Sequence, residues 1–322
     1  MIKRMGFFSV VIPVFNKDEH VERAINSVLC QSFEDFELLL ICDPSTDSST
    51  DKVEKIMDSR VKIFYRDEPG PGGYAARNLG IVNATADWVA FLDADDEWNR
   101  DHLQNLHEAI RQYPDVSFFA SGYEIVNGNG KSNPIKIKVR QYFTKLSFEE
   151  YLTCSPFYTS AVCVKKDALL KAGLFPAGKM KRGGDVDTWL RVIEMAGSYL
   201  WINYIGAKYY RDAVNMVTKH NFYTEKEVAN ETLLNMISKY QGSINKKLKV
   251  KYNNQVIYAW NQNMHLSIPA NFNLSGRLFI REQFLKSTIY ISLSLVPLAI
   301  SKPIHKFAYK LISRYRRYKN NM

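Results

Sequence analysis

Four residues, Asp93-Ala94-Asp95-Asp96, follow directly on the apolar run Trp88 to Leu92. Carboxylates at the exposed end of a strand are costly unless solvated or paired, and a hard divalent cation that also bridges to phosphate oxygens is a good partner. In an extended chain Asp93 and Asp95 point to one side and Asp96 to the other, so the expected pair for Mg²⁺ or Mn²⁺ is Asp93 with Asp95. Such an ion would neutralise charge on a leaving diphosphate. Alone, the cluster reads better as a solvated turn, since Asp is common at turns and helix starts. The six histidines show no metal-ligand spacing and the four cysteines no CxxC pair, so neither a zinc site nor a disulfide framework is expected.

The elements that must position this cluster alternate in type. Phe7 to Phe15, Phe36 to Cys42, Val61 to Tyr65 and Trp88 to Leu92 are apolar runs of strand length. Between them, Val21, Ala24, Ile25, Val28 and Leu29 share a helical face, Ser48 to Met57 begins with cap-forming residues, and Tyr74 to Val82 is helical in pattern. This alternation predicts an α/β domain with a mostly parallel sheet flanked by helices. Ligands bind such sheets beyond the carboxyl ends of the strands, so Asp43, the Gly/Pro-rich loop Asp67 to Gly73 and the run Asp93 to Glu97 should share one crevice. Further on, the alternating Ile135 to Val139 suits an edge strand and Ser160 to Val164 a short strand. Lys166 to Ala172 reads as a helix closed by Gly173, and Asp185 to Ala196 as an amphipathic helix after Gly183-Gly184. No GxGxxG follows the first strand, which disfavours a dinucleotide-dependent dehydrogenase.

Four further segments stand in order around the aspartates: Ile12-Pro13-Val14-Phe15-Asn16, Ile41-Cys42-Asp43-Pro44-Ser45-Thr46-Asp47, Ala75-Ala76-Arg77-Asn78-Leu79-Gly80 and Gly184-Asp185-Val186-Asp187-Thr188-Trp189-Leu190-Arg191. With the aspartates, this ordered set resembles family 2 of the glycosyltransferases, inverting enzymes with the GT-A nucleotide-sugar-binding fold, over about residues 6 to 220. The resemblance implies that Asp43 hydrogen-bonds the nucleotide base in a pocket lined by Pro13 and Phe15, and that Arg77 and Asn78 serve the donor, Arg77 near base and phosphates. It implies Asp93 near ribose and metal, Asp95 as the direct ligand of Mn²⁺ or Mg²⁺, and Asp185 as the general base. Two positions depart from the family pattern. Cys42-Asp43-Pro44 replaces an acidic pair followed by glycine, and Gly184 stands where an acidic residue commonly precedes the base.

Each assignment has a structural competitor. Asp43 and Asp47 could cap the helix near Ser48, which is the expected role of Asp47. Asp187 reads as a first-turn acid favoured by the helix dipole, Trp189 as a core residue, and Arg77 as a possible surface partner of Asp67 or Glu68. Tyr209, Tyr210, Arg211 and Asn215 to His220 fall where the family often closes over its donor.

Composition and charge complete the expectation. The 322 residues are 46% hydrophobic and 24% charged, which excludes a disordered or fibrous chain. A GT-A domain over 1–220 and a helical region over 221–322 are expected, the latter ending in a tail from about 285. Of the net charge of +10, eight positive charges follow Glu282 with no acidic residue among them, leaving about +2 on residues 1–282. That distribution argues against a nucleic-acid-binding body. The apolar run Ser287 to Ser301 would span about 22 Å as a helix, short of a hydrocarbon core. Ile304, Phe307, Ala308, Leu311, Ile312 and Tyr315 recur at helical steps opposite basic residues, the pattern of a helix lying on an anionic membrane surface. No signal peptide is evident in Met1 to Phe15.

The sequence thus predicts a cytoplasmic, membrane-peripheral enzyme moving sugar from a nucleoside-diphosphate donor, with UDP expected, to a glycan or lipid-linked glycan. The alternative is an inactive nucleotide- or glycan-binding module on the same fold.

Overall fold

The computed structural model describes residues 6–128, 132–154, 156–211, 223, 230–265, 274 and 276–295. The chain divides into two compact units, residues 1–220 and 221–322. The amphipathic stretch 304–315 and the segment Asn215 to His220 lie outside the described residues.

In the first unit, β1 (Phe8–Val14), β2 (Phe36–Cys42), β3 (Val61–Tyr65) and β4 (Trp88–Phe91) run parallel in the order β3-β2-β1-β4. Every residue of β2 and β4 is buried, as continuous apolar runs require when both faces of a sheet are covered. Helix α1 (Val21–Leu29) buries Val21, Ala24, Ile25 and Val28. It is followed by α2 (Ser49–Glu54) and α3 (Tyr74–Asn83). Gly80 lets α3 sit directly on β1, since a Cβ there would lie 2.5 Å from Val11 Cγ1. Glu37 is fully buried inside β2. It accepts hydrogen bonds from Ser9 Oγ (2.5 Å), Thr85 N (2.6 Å) and Oγ1 (2.8 Å), and Lys62 Nζ (2.8 Å).

The sheet continues from β4 through β9 (Val162–Lys165), β6 (Phe118–Val126) and β10 (Ser198–Tyr210) to β5 (Glu97–Trp98). β9 is antiparallel to β4 and β6, whereas β6 and β10 are parallel. Two shorter strands, β7 (Ser132–Ile135) and β8 (Phe143–Ser147), pair with β6 and β10. Helices α4 (His102–Gln112), α5 (Phe148–Thr153), α6 (Lys166–Lys171) and α7 (Gly184–Ala196) cover the faces. Because β1 is flanked by β2 on one side and β4 on the other, strand order reverses there, which is where sheets of this kind bind ligands.

Two expectations are corrected. The edge strand expected at Ile135 to Val139 lies instead at Ser132–Ile135. β7 pairs with β6 from Val126 back to Tyr123, and from Ala120 the same edge of β6 is taken by β9, so the alternating residues beyond Ile135 have no partner strand. The second correction concerns Asp96 and is described with the site.

In the second unit, helices span Glu231–Lys239, Gly242–His265 and Phe284–Leu295. Asn230 caps the first by accepting from Leu233 N (2.9 Å). Asn253 holds Phe279 from both sides, donating to its carbonyl (3.0 Å) and accepting from its amide (2.9 Å). Among the described residues no helix is long and apolar enough to cross a membrane.

Candidate active site

After β4 the chain does not stay extended. Leu92 still donates to Val11 O (3.1 Å), but Asp96 N then returns to Asp93 O (3.0 Å), closing a turn over Asp93 to Asp96. This corrects the expected side-to-side alternation, because the turn brings Asp96 back beside the other two carboxylates. One oxygen from each of Asp93, Asp95 and Asp96 lies within 4.8 Å of the others.

Ser160, from the 3₁₀ turn before β9, fastens this turn. Its Oγ accepts from Asp93 N (3.1 Å) and donates to Asp96 Oδ2 (2.6 Å), while its carbonyl accepts from Trp98 Nε1 (2.5 Å). Asp96 is fully buried. That burial, followed by the charges of Asp95 and Asp93, drives its pKa well above the usual carboxylate range. Three hard oxygen donors crowded in this way could hold a divalent cation. Two cationic side chains of this chain already sit on the cluster. Lys17 Nζ is 2.7 Å from Asp95 Oδ2, and Arg77 pairs with Asp93 Oδ1.

Arg77 lies on α3, whose entry is shaped by Gly72 and Gly73, both left-handed (φ +72° and +68°). Its Nη1 donates to Gly72 O (2.9 Å), its guanidinium lies 5.7 Å from the Phe175 ring centroid, and it is buried. Its ion-pair partner is Asp93, not Asp67 or Glu68. Its neighbour Asn78 is spent on backbone, donating to Phe175 O and accepting from Phe175 N, each at 2.9 Å.

Asp43 follows β2 and is buried. Its Oδ1 accepts from Arg66 Nη1 (2.5 Å) and its Oδ2 from Gly70 N (3.0 Å). Pro13 is half-buried on β1 in register with Ile41, and the Phe15 ring beyond it is 42% exposed. The N-cap of α2 is Ser48 and not Asp47, whose carboxylate lies one residue earlier and accepts from Ser49 N (3.0 Å) and, at its other oxygen, from Asp18 N (3.1 Å). Pro44 is exposed, and Asp43 N keeps its bond to Val14 O (2.9 Å), so the proline leaves the strand end intact.

Asp185 occupies the first turn of α7 after left-handed Gly183 (φ +74°). Burial raises its pKa. The Val186 amide and the Arg77 charge pull the other way, and Asp93 adds to the rise. Thr159 Oγ1 donates to it at 3.4 Å. Gly184 has a packing reason: a Cβ there would lie 2.7 Å from Tyr74 Cζ, and its amide donates to Tyr74 Oη (2.9 Å). Asp187 pairs with Arg191 one turn on, and Trp189 is core.

Sequence reasoning missed Lys17, Arg23, Arg66, Tyr158 and Ser160. Arg23 Nη2 donates to Asp95 O (2.5 Å) and its guanidinium stacks 3.7 Å over Tyr210, whose amide reaches Asp96 Oδ1 (3.4 Å). Tyr158 donates to Asp93 Oδ2 (3.5 Å) and its ring lies 4.7 Å from Tyr209. Tyr209 and Tyr210 therefore border the aspartate turn. The signal available for Lys17 and Arg66 was their place in the loops that follow β1 and β3. Of the histidines, His102 is fully buried against Trp98 and beneath Gly206, and burial pushes its pKa down to about 3.

Comparison with known proteins fits this geometry. Residues 9–173 match the family described as glycosyl transferase family 2. An uncharacterized glycosyltransferase of Rickettsia felis is 31% identical over 185 residues, 57% of this chain and 30% of that protein. The UDP-Glc:alpha-D-GlcNAc-diphosphoundecaprenol beta-1,3-glucosyltransferase WfgD of Escherichia coli is 34% identical over 121 residues, 38% of this chain and 47% of WfgD. The chain thus spans less than half the length of these relatives. The crystal structure of S. aureus TarS 1-349 in complex with UDP-GlcNAc superposes with a TM-score of 0.61 at 17% identity, covering 94% of this chain and 87% of that one, which shows a shared fold. With more than half of its length inside the family's boundaries and the aspartate turn at the strand-order reversal of that fold, the chain belongs to glycosyltransferase family 2.

Proposed function

We propose that the chain is an inverting glycosyltransferase that moves a sugar from a nucleoside-diphosphate donor, UDP-linked, to a hydroxyl of a glycan or lipid-linked glycan. The observation that carries this is the placement of Arg77. One buried guanidinium pairs with Asp93 of the aspartate turn and acts electrostatically on Asp185. A phosphate-side group and a carboxylate of raised proton affinity thereby share one charge cluster. The E. coli relative, by its name, uses UDP-Glc and an undecaprenol-linked acceptor, and TarS was crystallised with UDP-GlcNAc, which supports the choice of donor and acceptor class.

In this reading Asp43, Pro13 and Phe15 receive the nucleotide base. Arg77 and Asp93 hold the ribose and diphosphate side, and Asn78 fixes Arg77's helix against Phe175. Asp95, with Asp93 and Asp96, would hold Mg²⁺ or Mn²⁺, which supplies charge neutralisation for the departing diphosphate. Asp185 takes the proton of the acceptor hydroxyl as that oxygen bonds to the anomeric carbon and the bond from that carbon to the diphosphate breaks on the opposite face. Burial raises Asp185's basicity, which favours its taking the proton, and the Arg77 charge restrains the rise. The basic, apolar tail expected from sequence would rest on the inner face of a membrane, where lipid-linked acceptors are found.

The test is calorimetric titration of UDP, GDP, CDP and dTDP with and without Mn²⁺, for wild type and Asp95→Asn. Selective, Mn²⁺-dependent UDP binding that is lost in the variant is expected. A folded protein that binds no nucleotide would sink the donor-site reading.

A further inference from the structure

Lys17 is held at Asp95 by more construction than a surface lysine needs. The ion pair is 2.7 Å long and each side chain is only 13% exposed. The Lys17 amide donates to Ser49 Oγ (2.7 Å), and its carbonyl accepts from His20 N (2.9 Å) and Val21 N (2.8 Å), fixing its backbone at three points. The residue before it, Asn16, is left-handed (φ +50°), a conformation asparagine tolerates better than most residues. Asn16 is pinned there by Thr46 N on its Oδ1 (2.8 Å) and by its own amide on Ser45 Oγ (3.1 Å). The loop that follows Asp43 thus aims the Lys17 ammonium at the aspartate turn. Arg23 adds a second cation on the Asp95 carbonyl (2.5 Å).

An ammonium in contact with a carboxylate oxygen occupies the place of one metal–oxygen bond. Two cations cannot share that oxygen at close range without strong repulsion. We propose that Lys17 is a resident cation at Asp95 that a divalent ion must displace. Lys17 is therefore a positioning residue: it keeps the aspartate turn charge-balanced before metal and donor arrive, and it sets how tightly the metal binds. The inference rests on the reading of Asp95 as a metal ligand. It adds that metal affinity is held down by a side chain aimed from the loop beside the base-binding carboxylate.

The experiment is titration of the full chain with MnCl₂ alone, following free Mn²⁺ by electron paramagnetic resonance. Wild type, Lys17→Gln, Lys17→Met, Lys17→Arg and Asp95→Asn are compared, each checked for a native thermal transition. The expected result is roughly tenfold tighter Mn²⁺ binding in Lys17→Gln and Lys17→Met, equivalent to about 1.4 kcal/mol. Lys17→Arg should stay within about threefold of wild type because the charge is kept, and Asp95→Asn should lose most of the affinity. A merely structural lysine would give the opposite sign, since loosening the loop weakens the site. Unchanged or weaker binding in both neutral variants, with Asp95→Asn still impaired, overturns the role of Lys17 and leaves the metal reading standing. Wild-type affinity in Asp95→Asn overturns both.

Discussion

The Ser160 hydroxyl donates to Asp96 Oδ2 at 2.6 Å while accepting the Asp93 amide at 3.1 Å, so one side chain ties together both ends of the aspartate turn. Replacing it with alanine leaves a fully buried carboxylate short of a donor, which costs about 1–3 kcal/mol. Ser160→Ala should melt at lower temperature and bind UDP with Mn²⁺ at least several-fold more weakly. Wild-type affinity would show that the turn holds its shape without the serine.

Asp185→Asn should bind UDP as wild type does and transfer sugar 10² to 10⁴-fold more slowly, the usual worth of a positioned base. Single-turnover transfer beside calorimetry separates the two effects. Near-normal transfer would remove Asp185 from the chemistry.

The acid limb of the rate should report the same residue. Burial raises Asp185's pKa above the usual carboxylate value. A base works deprotonated, so activity is present above that raised pKa and is lost as pH falls through it. The expected midpoint lies above the range of an exposed aspartate. An acid limb at or below that range would contradict the assignment.

His102 makes a prediction about stability instead. Burial lowers its folded pKa to about 3 from an ordinary 6.5. The unfolded chain therefore gains a proton that the folded one does not take up, and stability drains away as pH falls from 6.5 toward 3. Both ring nitrogens lack a hydrogen-bond partner among the described residues. His102→Phe should accordingly show a shallower loss of stability over that window, measured by urea denaturation at stepped pH. An unchanged slope would refute this.

Gly184→Ala should destabilise by about 1–3 kcal/mol through overpacking, because the added carbon falls 2.7 Å from the Tyr74 ring. If thermal stability is unaffected, the Tyr74 contact is softer than the geometry implies.

How far these features could be read from sequence depends on the range of the interactions that make them. β2 begins and ends where its apolar run does, because a strand buried along its whole length shows no polar alternation to blur its limits, its single acid Glu37 being fully paired; β3 matches its run as well, though it is an edge strand, mostly half-buried, that carries Lys62. The segments carrying Asp43, Arg77 and Asp93 likewise fall at strand ends and a helix start, where the alternation put them. Asp96 was misplaced because a period-two rule assumes an extended chain, and the turn depends on Ser160, 64 residues away. The shift of β7 escaped for a similar reason: its limit is set by β9 occupying the β6 edge, a fact of topology with no local trace. Lys17 and Arg66 looked like ordinary loop cations because their partners, Asp95 and Asp43, lie on other loops.

Asn78 grips the Phe175 backbone at both its amide and its carbonyl. Its chain neighbour Arg77 carries the contact with Asp93, and Phe175 lies on the segment that leads into α7 and Asp185. The Asn78 carboxamide thus works as a crossbrace whose length sets the spacing between the two ends of the site. Substituting it would put the arginine and the base out of step with each other while leaving every atom that meets a ligand chemically unaltered.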